Sequence, residues 1–319
     1  MSFAMVFPGQ GSQSLGMLAA LASEPVVQRV FSEASAVLGY DVWQLTQNGP
    51  EEELNATERT QPVMLTAAFA LWRLWGERGG PAPAEVSGHS LGEFTALTVA
   101  QAFDFPTAVG LVRDRGRLMQ EAVPAGAGAM AAVLGLEDAQ VAQACAEGAQ
   151  GAIVEPVNYN APGQIVIAGE KAAVGRAIEA AKRLGAKRAL LLPMSVPAHS
   201  SLMRPAAERL AEKLRSLSIR TPRLSYRSAV DARLHEDPAD IRDLLVRQIA
   251  SPVRWTDTVR ALSAAGARQL IECGPGKVLT AINRRIERRP DFQCLAIDDL
   301  ASIEAARAAV AAAGGASHA

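Results

Sequence analysis

The sequence predicts an α/β protein in which a small unit interrupts a larger one. In the larger part, short apolar runs end in tight turns and lead into helical periodicity: FAMVF at 3–7, AEVSG at 84–88 and RQLIECGPG at 268–276. The middle of the chain shows instead the order β-α-β-β-α-β, the ferredoxin-like pattern. We therefore predict a large α/β domain formed by 1–125 and 197–319, with a ferredoxin-like subdomain at 126–196.

In the large domain, each predicted strand leads to a loop at what we expect to be one rim. FAMVF precedes the loop PGQGSQ. AEVSG is the weakest strand, since Val86 alone is strongly β-forming, but the helical stretch LGEFTALTVAQ follows it. RQLIEC stops at a Gly-Pro-Gly turn before the helical stretch KVLTAINRRIERR.

The subdomain begins after the flexible stretch PAGAG at 124–128. Its predicted elements are, in order, the strand AMAAVLGL, a helix near 137–147, the strands IVEPVNYN and QIVIAG, a helix near 171–185 and the strand RALLLPM. A Pro162-Gly163 turn separates the two middle strands. We expect the chain to return to the large domain at Val196.

Composition excludes several classes of function. The 32 Lys plus Arg residues nearly balance the 33 Asp plus Glu residues, so we expect no general affinity for nucleic acid. The three cysteines lie far apart without a CxxC motif or Cys/His cluster, so we expect no zinc site and no disulfide framework. We expect no signal peptide, because the start MSFAMVFPGQGSQ has no basic region and only a short apolar run before Pro8, and no membrane span, because no apolar stretch is long enough. These features indicate a cytoplasmic protein without a membrane partner.

Ser90 is the candidate nucleophile. Gly88-His89-Ser90-Leu91-Gly92 matches G-x-S-x-G, in which a sharp strand-to-helix turn exposes the serine hydroxyl. The helix N-terminus favours negative charge, and the Leu91 N–H is a candidate oxyanion donor. The alternative is a serine in a glycine-rich turn without chemistry.

The general base must come from four histidines. His318 lies in the tail, and His89 should project away from Ser90. We favour His199, in the small-residue loop VPAHSS, over His235, which we expect in a solvated surface loop before a helix capped by Asp237. The alternative for His199 is a hydrogen-bonded loop histidine, and no carboxylate to orient it is evident between 90 and 199.

Arg115 lies in the apolar stripe of a helix predicted over Pro106–Val123. A buried arginine needs an anionic partner. One partner is an internal glutamate or aspartate, and the other is a ligand carboxylate that the planar guanidinium binds through two hydrogen bonds. The helix by itself favours the internal ion pair.

Together these residues resemble the malonyl-CoA:acyl-carrier-protein transacylase family. The resemblance covers nearly the whole chain in eight ordered blocks: FPGQGSQ at 7–13, TQPVMLTAAFAL at 60–71, GHSLGE at 88–93, RDRGRLMQEAVPAGAGAMAAVLG at 113–135, NYNAPGQIVIAG at 158–169, VPAHSSLM at 196–203, QIASPVRW at 248–255 and ECGPGKVL at 272–279. It implies an α/β-hydrolase-like large domain with a ferredoxin-like insert. The loop Val196-Pro197-Ala198 lacks the aromatic residue of many modular-synthase domains, which favours a free-standing enzyme.

The resemblance also implies roles for individual residues. Ser90 is then the acylated nucleophile and His199 its base, oriented by the backbone carbonyl of Gln248. Gln10 and Leu91 supply the oxyanion N–H groups. Arg115 binds the malonyl carboxylate, and the remaining site residues are Gln61, Asn160, Met119 and Val278.

The implied reaction is ping-pong transfer of malonyl from malonyl-CoA to acyl carrier protein, without a metal or cofactor. Three alternatives stay open: the transferase subunit of a malonate-processing complex, a serine hydrolase, and an inactive scaffold that binds carrier proteins. Carrier docking is an open question as well. The arginines at 284, 285, 288 and 289 fit either an acidic carrier or a solvated helix end.

Overall fold

The computed structural model describes residues 2–194 and 196–315, and its strands form two separate sheets. The strands are β1 (Ser2–Phe7), β2 (Glu85–Gly88), β3 (Gly128–Leu134), β4 (Val154–Ala161), β5 (Gln164–Glu170), β6 (Arg188–Leu191), β7 (Ser225–Arg227), β8 (Leu234–His235), β9 (Ala267–Cys273) and β10 (Gln293–Ile297).

Helices cover these sheets. They are α1 (Pro25–Leu38), α2 (Val42–Asn48), α3 (Glu51–Asn55), α4 (Thr57–Glu77), α5 (Gly92–Val99), α6 (Phe105–Glu121), α7 (Asp138–Ala149), α8 (Lys171–Arg183), α9 (Arg204–Arg215), α10 (Pro238–Gln248), α11 (Trp255–Ala264), α12 (Val278–Ile286) and α13 (Leu300–Gly315).

The large sheet has the order β10-β9-β1-β2-β7-β8. Its first five strands are parallel, and only the short β8 runs antiparallel, to β7. Strand β1 is buried on both faces, as parallel strands between helical layers are, which explains its unbroken apolar sequence. Because β9, β1 and β2 are adjacent and parallel, the loops that follow them meet at one rim, as the sequence predicts.

The small sheet has the order β4-β5-β3-β6 with every neighbouring pair antiparallel, and this confirms the ferredoxin-like pattern. Its two faces alternate along β5: Ile165 and Ile167 pack in the subdomain core, while Val166 and Ala168 join the core of the large domain. All four strands lie within 126–196. The domain boundaries themselves stay predictions.

Two C-terminal element ends differ most from the prediction. Helix α12 includes Arg284 and Arg285 but ends at Ile286 instead of continuing through Arg288 and Arg289, and Glu287 is already extended. Pro290 disfavours helical geometry at the residue before it, which is consistent with this early end. Strand β6 stops at Leu191, two residues before Pro193, which has no N–H for the sheet.

Candidate active site

The turn between β2 and α5 holds Ser90 in a left-handed conformation with φ 53°. A Cβ added to Gly88 would lie 1.9 Å from the carbonyl carbon of Gly92, and a Cβ on Gly92 would lie 2.0 Å from the oxygen of Phe7. Side chains at these two positions would therefore prevent the turn. The G-x-S-x-G spacing is thus a steric requirement of this strand-to-helix connection.

The side chain of His199 lies against Ser90. Its Nε2 is 2.7 Å from Ser90 Oγ, and its Nδ1 is 2.9 Å from the carbonyl oxygen of Gln248 and 3.2 Å from that of Ser251. Carbonyl oxygens only accept hydrogen bonds, so Nδ1 carries the proton and the lone pair of Nε2 faces the serine hydroxyl. Carbonyl groups therefore orient this histidine, at the place where other serine enzymes use a carboxylate.

The environment of His199 keeps its imidazole neutral. Burial and, after it, the positive charge of Arg115 lower the pKa of His199 to about 3, although the two carbonyl groups partly oppose this decrease. Only 3% of the residue is exposed. Near neutral pH the histidine can therefore accept a proton.

Arg115 is buried at the same point, with 1% of its surface exposed. Its Nη1 donates to Oε1 of Gln61 at 2.8 Å, and its Nη2 donates to Oε1 of Gln248 at 2.9 Å and to Ser90 Oγ at 3.2 Å. All three partners are neutral. The internal ion pair that the helix by itself favours is therefore not formed, because no carboxylate is among the hydrogen-bond partners of this guanidinium.

These groups face a cavity of about 410 Å³ between the two sheets. Nine of the predicted site residues line it: Gln10, Gln61, Ser90, Leu91, Arg115, Met119, Asn160, His199 and Val278. Gln248, the tenth, lies behind Ser90 and Arg115 and is 1% exposed. Among the described residues, no group of three or more His, Cys, Asp or Glu side chains is arranged to hold a metal ion. In the same part of the chain, no helix is long and apolar enough to cross a membrane.

Comparison with known proteins places this geometry in a family. The acyl transferase domain family matches residues 4–310. The malonyl CoA-acyl carrier protein transacylase of Escherichia coli K12 is 56% identical over 285 residues, which are 89% of this chain and 92% of that protein. The chain belongs to the malonyl CoA-acyl carrier protein transacylase family.

Solved structures of the family have the same fold. An acyl carrier protein S-malonyltransferase from Vibrio cholerae superposes with a TM-score of 0.93 at 53% identity, covering 96% of this chain and all of that one. A malonyl-transacylase in complex with its type II polyketide synthase acyl carrier protein superposes with a TM-score of 0.94 at 53% identity, covering 96% and 99%. These neighbours support the α/β-hydrolase-like description of the large domain.

Neither His89 nor His235 forms a hydrogen bond with Ser90 Oγ, whose partners are His199 and Arg115. His89 points away, as predicted, and its Nε2 lies 2.8 Å from Oδ1 of Asn160. The prediction of a solvated loop for His235 is wrong: it lies on the edge strand β8, with Nε2 3.1 Å from the Asp231 carboxylate. Asp237 caps α10 as expected. His318 lies outside the described residues.

Sequence reasoning missed several contributions to the site in this family member. The Gln248 side chain contacts Arg115 through Oε1 and donates from Nε2 to the carbonyl of Ser90 at 3.0 Å. Ser251 supplies a second carbonyl to His199. The subdomain adds Met130 and the stretch 192–194 to the cavity wall. These contacts join residues far apart in sequence, and the block QIASPVRW at 248–255 was the only signal for Gln248 and Ser251.

The arginine run after the Gly-Pro-Gly turn makes contacts within the protein. Arg284 donates to the carbonyl of Cys294, and Arg285 donates to Oε1 of Gln164 at 2.6 Å. Arg289 pairs with Glu287. These contacts are compatible with the interpretation of the run as a solvated helix end. Docking of a carrier protein at this run stays a prediction.

Proposed function

We propose that this chain transfers the malonyl group from malonyl-CoA to the phosphopantetheine thiol of acyl carrier protein through malonyl-Ser90. One observation carries the proposal: the hydroxyl of Ser90 contacts both His199 Nε2 at 2.7 Å and Arg115 Nη2 at 3.2 Å. A nucleophile with its base and a buried cation without a carboxylate partner thus meet in one cavity. The names of the relatives and the complex with a carrier protein support the same reaction.

In the first half-reaction, Ser90 Oγ attacks the thioester carbonyl while its proton passes to Nε2 of His199. The N–H groups of Leu91 and Gln10 are the proposed donors to the oxyanion that forms. The C–S bond then breaks, and the coenzyme A thiolate takes the proton from His199. The products are malonyl-Ser90, free coenzyme A and a neutral histidine.

The second half-reaction runs the same steps in reverse with a different thiol. The pantetheine thiol of the carrier protein gives its proton to His199 and attacks the ester carbonyl. When the ester bond breaks, Ser90 Oγ regains the proton from Nε2. No redox change occurs, so the chemistry needs no cofactor, and we place it in the cytoplasm because all three cysteines are free thiols.

Arg115 is the proposed partner of the malonyl carboxylate. Gln61 accepts from Nη1 and Gln248 accepts from Nη2, so the contact of Nη2 with Ser90 Oγ is the one that a malonyl carboxylate would replace. A bound carboxylate would also offset the charge that lowers the pKa of His199, and it would thereby make the imidazole a better base. Substrate recognition and activation of the base are linked in this proposal.

Intact-protein mass spectrometry tests the function. Wild-type protein with malonyl-CoA should gain one malonyl group, which acyl carrier protein then removes. Ser90→Ala should gain none, while Ser87→Ala, which alters a neighbouring buried serine, should still be labelled. Full labelling of Ser90→Ala would overturn the assignment.

The other outcomes separate the alternatives. Loss of the label in buffer without acceptor indicates a hydrolase, and a wild-type protein that is never labelled indicates a scaffold. A label that acyl carrier protein of fatty-acid synthesis cannot remove, but the carrier subunit of a malonate-processing complex can, indicates that complex.

A further inference from the structure

Glu155 lies on β4 of the small sheet, and its carboxylate binds the loop that carries His199. Its Oε2 accepts from the backbone N–H of Ser201 at 2.7 Å, and its Oε1 accepts from Ser201 Oγ at 2.8 Å. Hydrogen bonds to a carboxylate are stronger than those between neutral groups, and two of them to one residue also fix its orientation. Glu155 is not among the residues that line the cavity, so its carboxylate acts on the loop rather than on a substrate.

The loop needs support because of its backbone conformation. His199 has φ 67°, in the left-handed region. For a residue other than glycine, this conformation costs free energy and persists only where neighbouring contacts hold it. The N–H of His199 donates to the carbonyl of Ile249 at 3.0 Å, which holds the histidine itself. Glu155 holds the chain two residues later, at Ser201.

Strand β4 also binds the segment that orients the imidazole. The N–H of Val253 donates to the carbonyl of Val157 at 2.8 Å, and the N–H of Tyr159 donates to the carbonyl of Val253 at 2.9 Å. Two residues before Val253, the carbonyl of Ser251 accepts from His199 Nδ1 at 3.2 Å. One strand of the small sheet therefore holds both the loop of the histidine and the segment that contacts its ring.

We infer that Glu155 is a positioning residue for the general base. By holding the loop, its carboxylate keeps Nε2 of His199 at 2.7 Å from Ser90 Oγ, a distance at which the proton can be transferred. The same strand presents Asn158 and Asn160 to the cavity, so it forms part of the cavity wall as well. This inference rests on the proposed malonyl transfer and adds a residue to the machinery of that reaction.

The test measures how fast saturating malonyl-CoA acylates Ser90 in a single turnover of Glu155→Ala. Loss of both hydrogen bonds lets the loop move relative to the serine. Because a displacement of about 1 Å in a reacting group costs up to a hundredfold in rate, acylation should slow roughly tenfold to a hundredfold. The half-saturating concentration of malonyl-CoA should stay nearly unchanged, since Glu155 does not reach the cavity. A Glu155→Ala protein with the wild-type rate would overturn the inference.

The same substitution in a His199→Ala background separates positioning from a general structural role. A residue that acts through His199 has nothing to position in that protein, so Glu155→Ala should not lower its residual acylation rate further. An acid that only supports the fold would lower the rate by the same factor in both backgrounds. That result would also overturn the inference.

A conservative variant and a matched control complete the set. Glu155→Gln should recover most of the rate, because its amide can accept from the N–H of Ser201 and donate to the hydroxyl, which accepts as well as donates. Glu170→Ala removes another carboxylate of the small sheet, one that accepts from the N–H of Ile153 at 2.9 Å and does not touch the His199 loop. It should keep the wild-type rate, and a loss as large as that of Glu155→Ala would contradict the specific role of Glu155.

Ser201→Ala tests the same contact from the loop, and it decides the question if Glu155→Ala does not fold. It removes the hydroxyl hydrogen bond and keeps the one from the N–H, so acylation should slow by only about threefold to tenfold. An unchanged rate in Ser201→Ala would contradict the inference. A wild-type protein that forms no malonyl-Ser90 would instead overturn the proposed function.

Discussion

Replacement of Arg115 by alanine separates ligand binding from fold stability. In the wild type, the guanidinium donates to the neutral oxygens of Gln61, Gln248 and Ser90. Its removal breaks no ion pair. In the variant, water from the adjacent cavity can reach the two amide oxygens that lose their donor. We therefore expect a change in melting temperature of only a few degrees, corresponding to roughly 1 kcal/mol.

The effect on malonyl transfer should be much larger. A hydrogen bond to a charged group contributes about 1.5–3 kcal/mol, which corresponds to a roughly 10- to 150-fold loss when it is removed. Acetyl transfer never uses the guanidinium and should change little or rise. Arg115→Lys should restore little malonyl transfer, because an ammonium group lacks the two parallel N–H donors.

Arg227→Ala is the matched control. Arg227 is also nearly buried, but it forms a bidentate ion pair with Glu85 at 2.8 and 3.2 Å. Its loss leaves a largely buried carboxylate without a partner, so the melting temperature should fall by many degrees and both acyl transfers should fall together. Arg115→Ala would refute the reasoning if it behaved like this control, with equal losses for both substrates and a large drop in melting temperature.

Three further predictions concern the serine and its base. His199→Ala should lower malonyl transfer by roughly two or more orders of magnitude, whereas His235→Ala should keep it, and equal losses would contradict the assignment. Gly92→Ala should abolish folding or activity, because its Cβ would lie 2.0 Å from the oxygen of Phe7, and a stable, active variant would contradict that contact. Since the pKa of His199 is lowered from 6.5 to about 3, the unfolded chain binds the proton first as the pH falls, and stability present above pH 6.5 is lost toward pH 3. Between pH 7 and pH 5 the wild type should lose about 2 kcal/mol that His199→Gln does not, measured by urea unfolding, and parallel losses would contradict the lowered pKa.

The sequence predicted the parts of the site that local geometry dictates. The G-x-S-x-G turn is determined within five residues, because its two glycines avoid backbone contacts at 1.9 and 2.0 Å. The order of strands and helices likewise determined the small sheet, since β-α-β-β-α-β has one common pairing. The resemblance, rather than any spacing, supplied the roles of Gln248, Gln10 and Asn160.

Other features depended on distances between segments remote in the chain. The sequence left Arg115 with two possible partners, and only the fold showed that the groups beside it are neutral amides and a serine. His235 was misplaced because the pairing of β8 with β7 is not evident from two residues of strand.

What the sequence by itself determined was the α/β class, the inserted ferredoxin-like unit, the nucleophile turn and the choice of His199, because each follows from periodicity, backbone sterics or the small number of histidines. The tertiary structure alone decided that Arg115 is buried without a carboxylate partner, that the Gln248 side chain contacts both this guanidinium and the Ser90 carbonyl, and that Ser251 supplies a second carbonyl to His199. Burial and hydrogen bonding between α4, α6 and α10 set the surroundings of Arg115, and such contacts join residues up to 158 positions apart. Charge and pKa at the site are therefore products of packing, which no local pattern encodes.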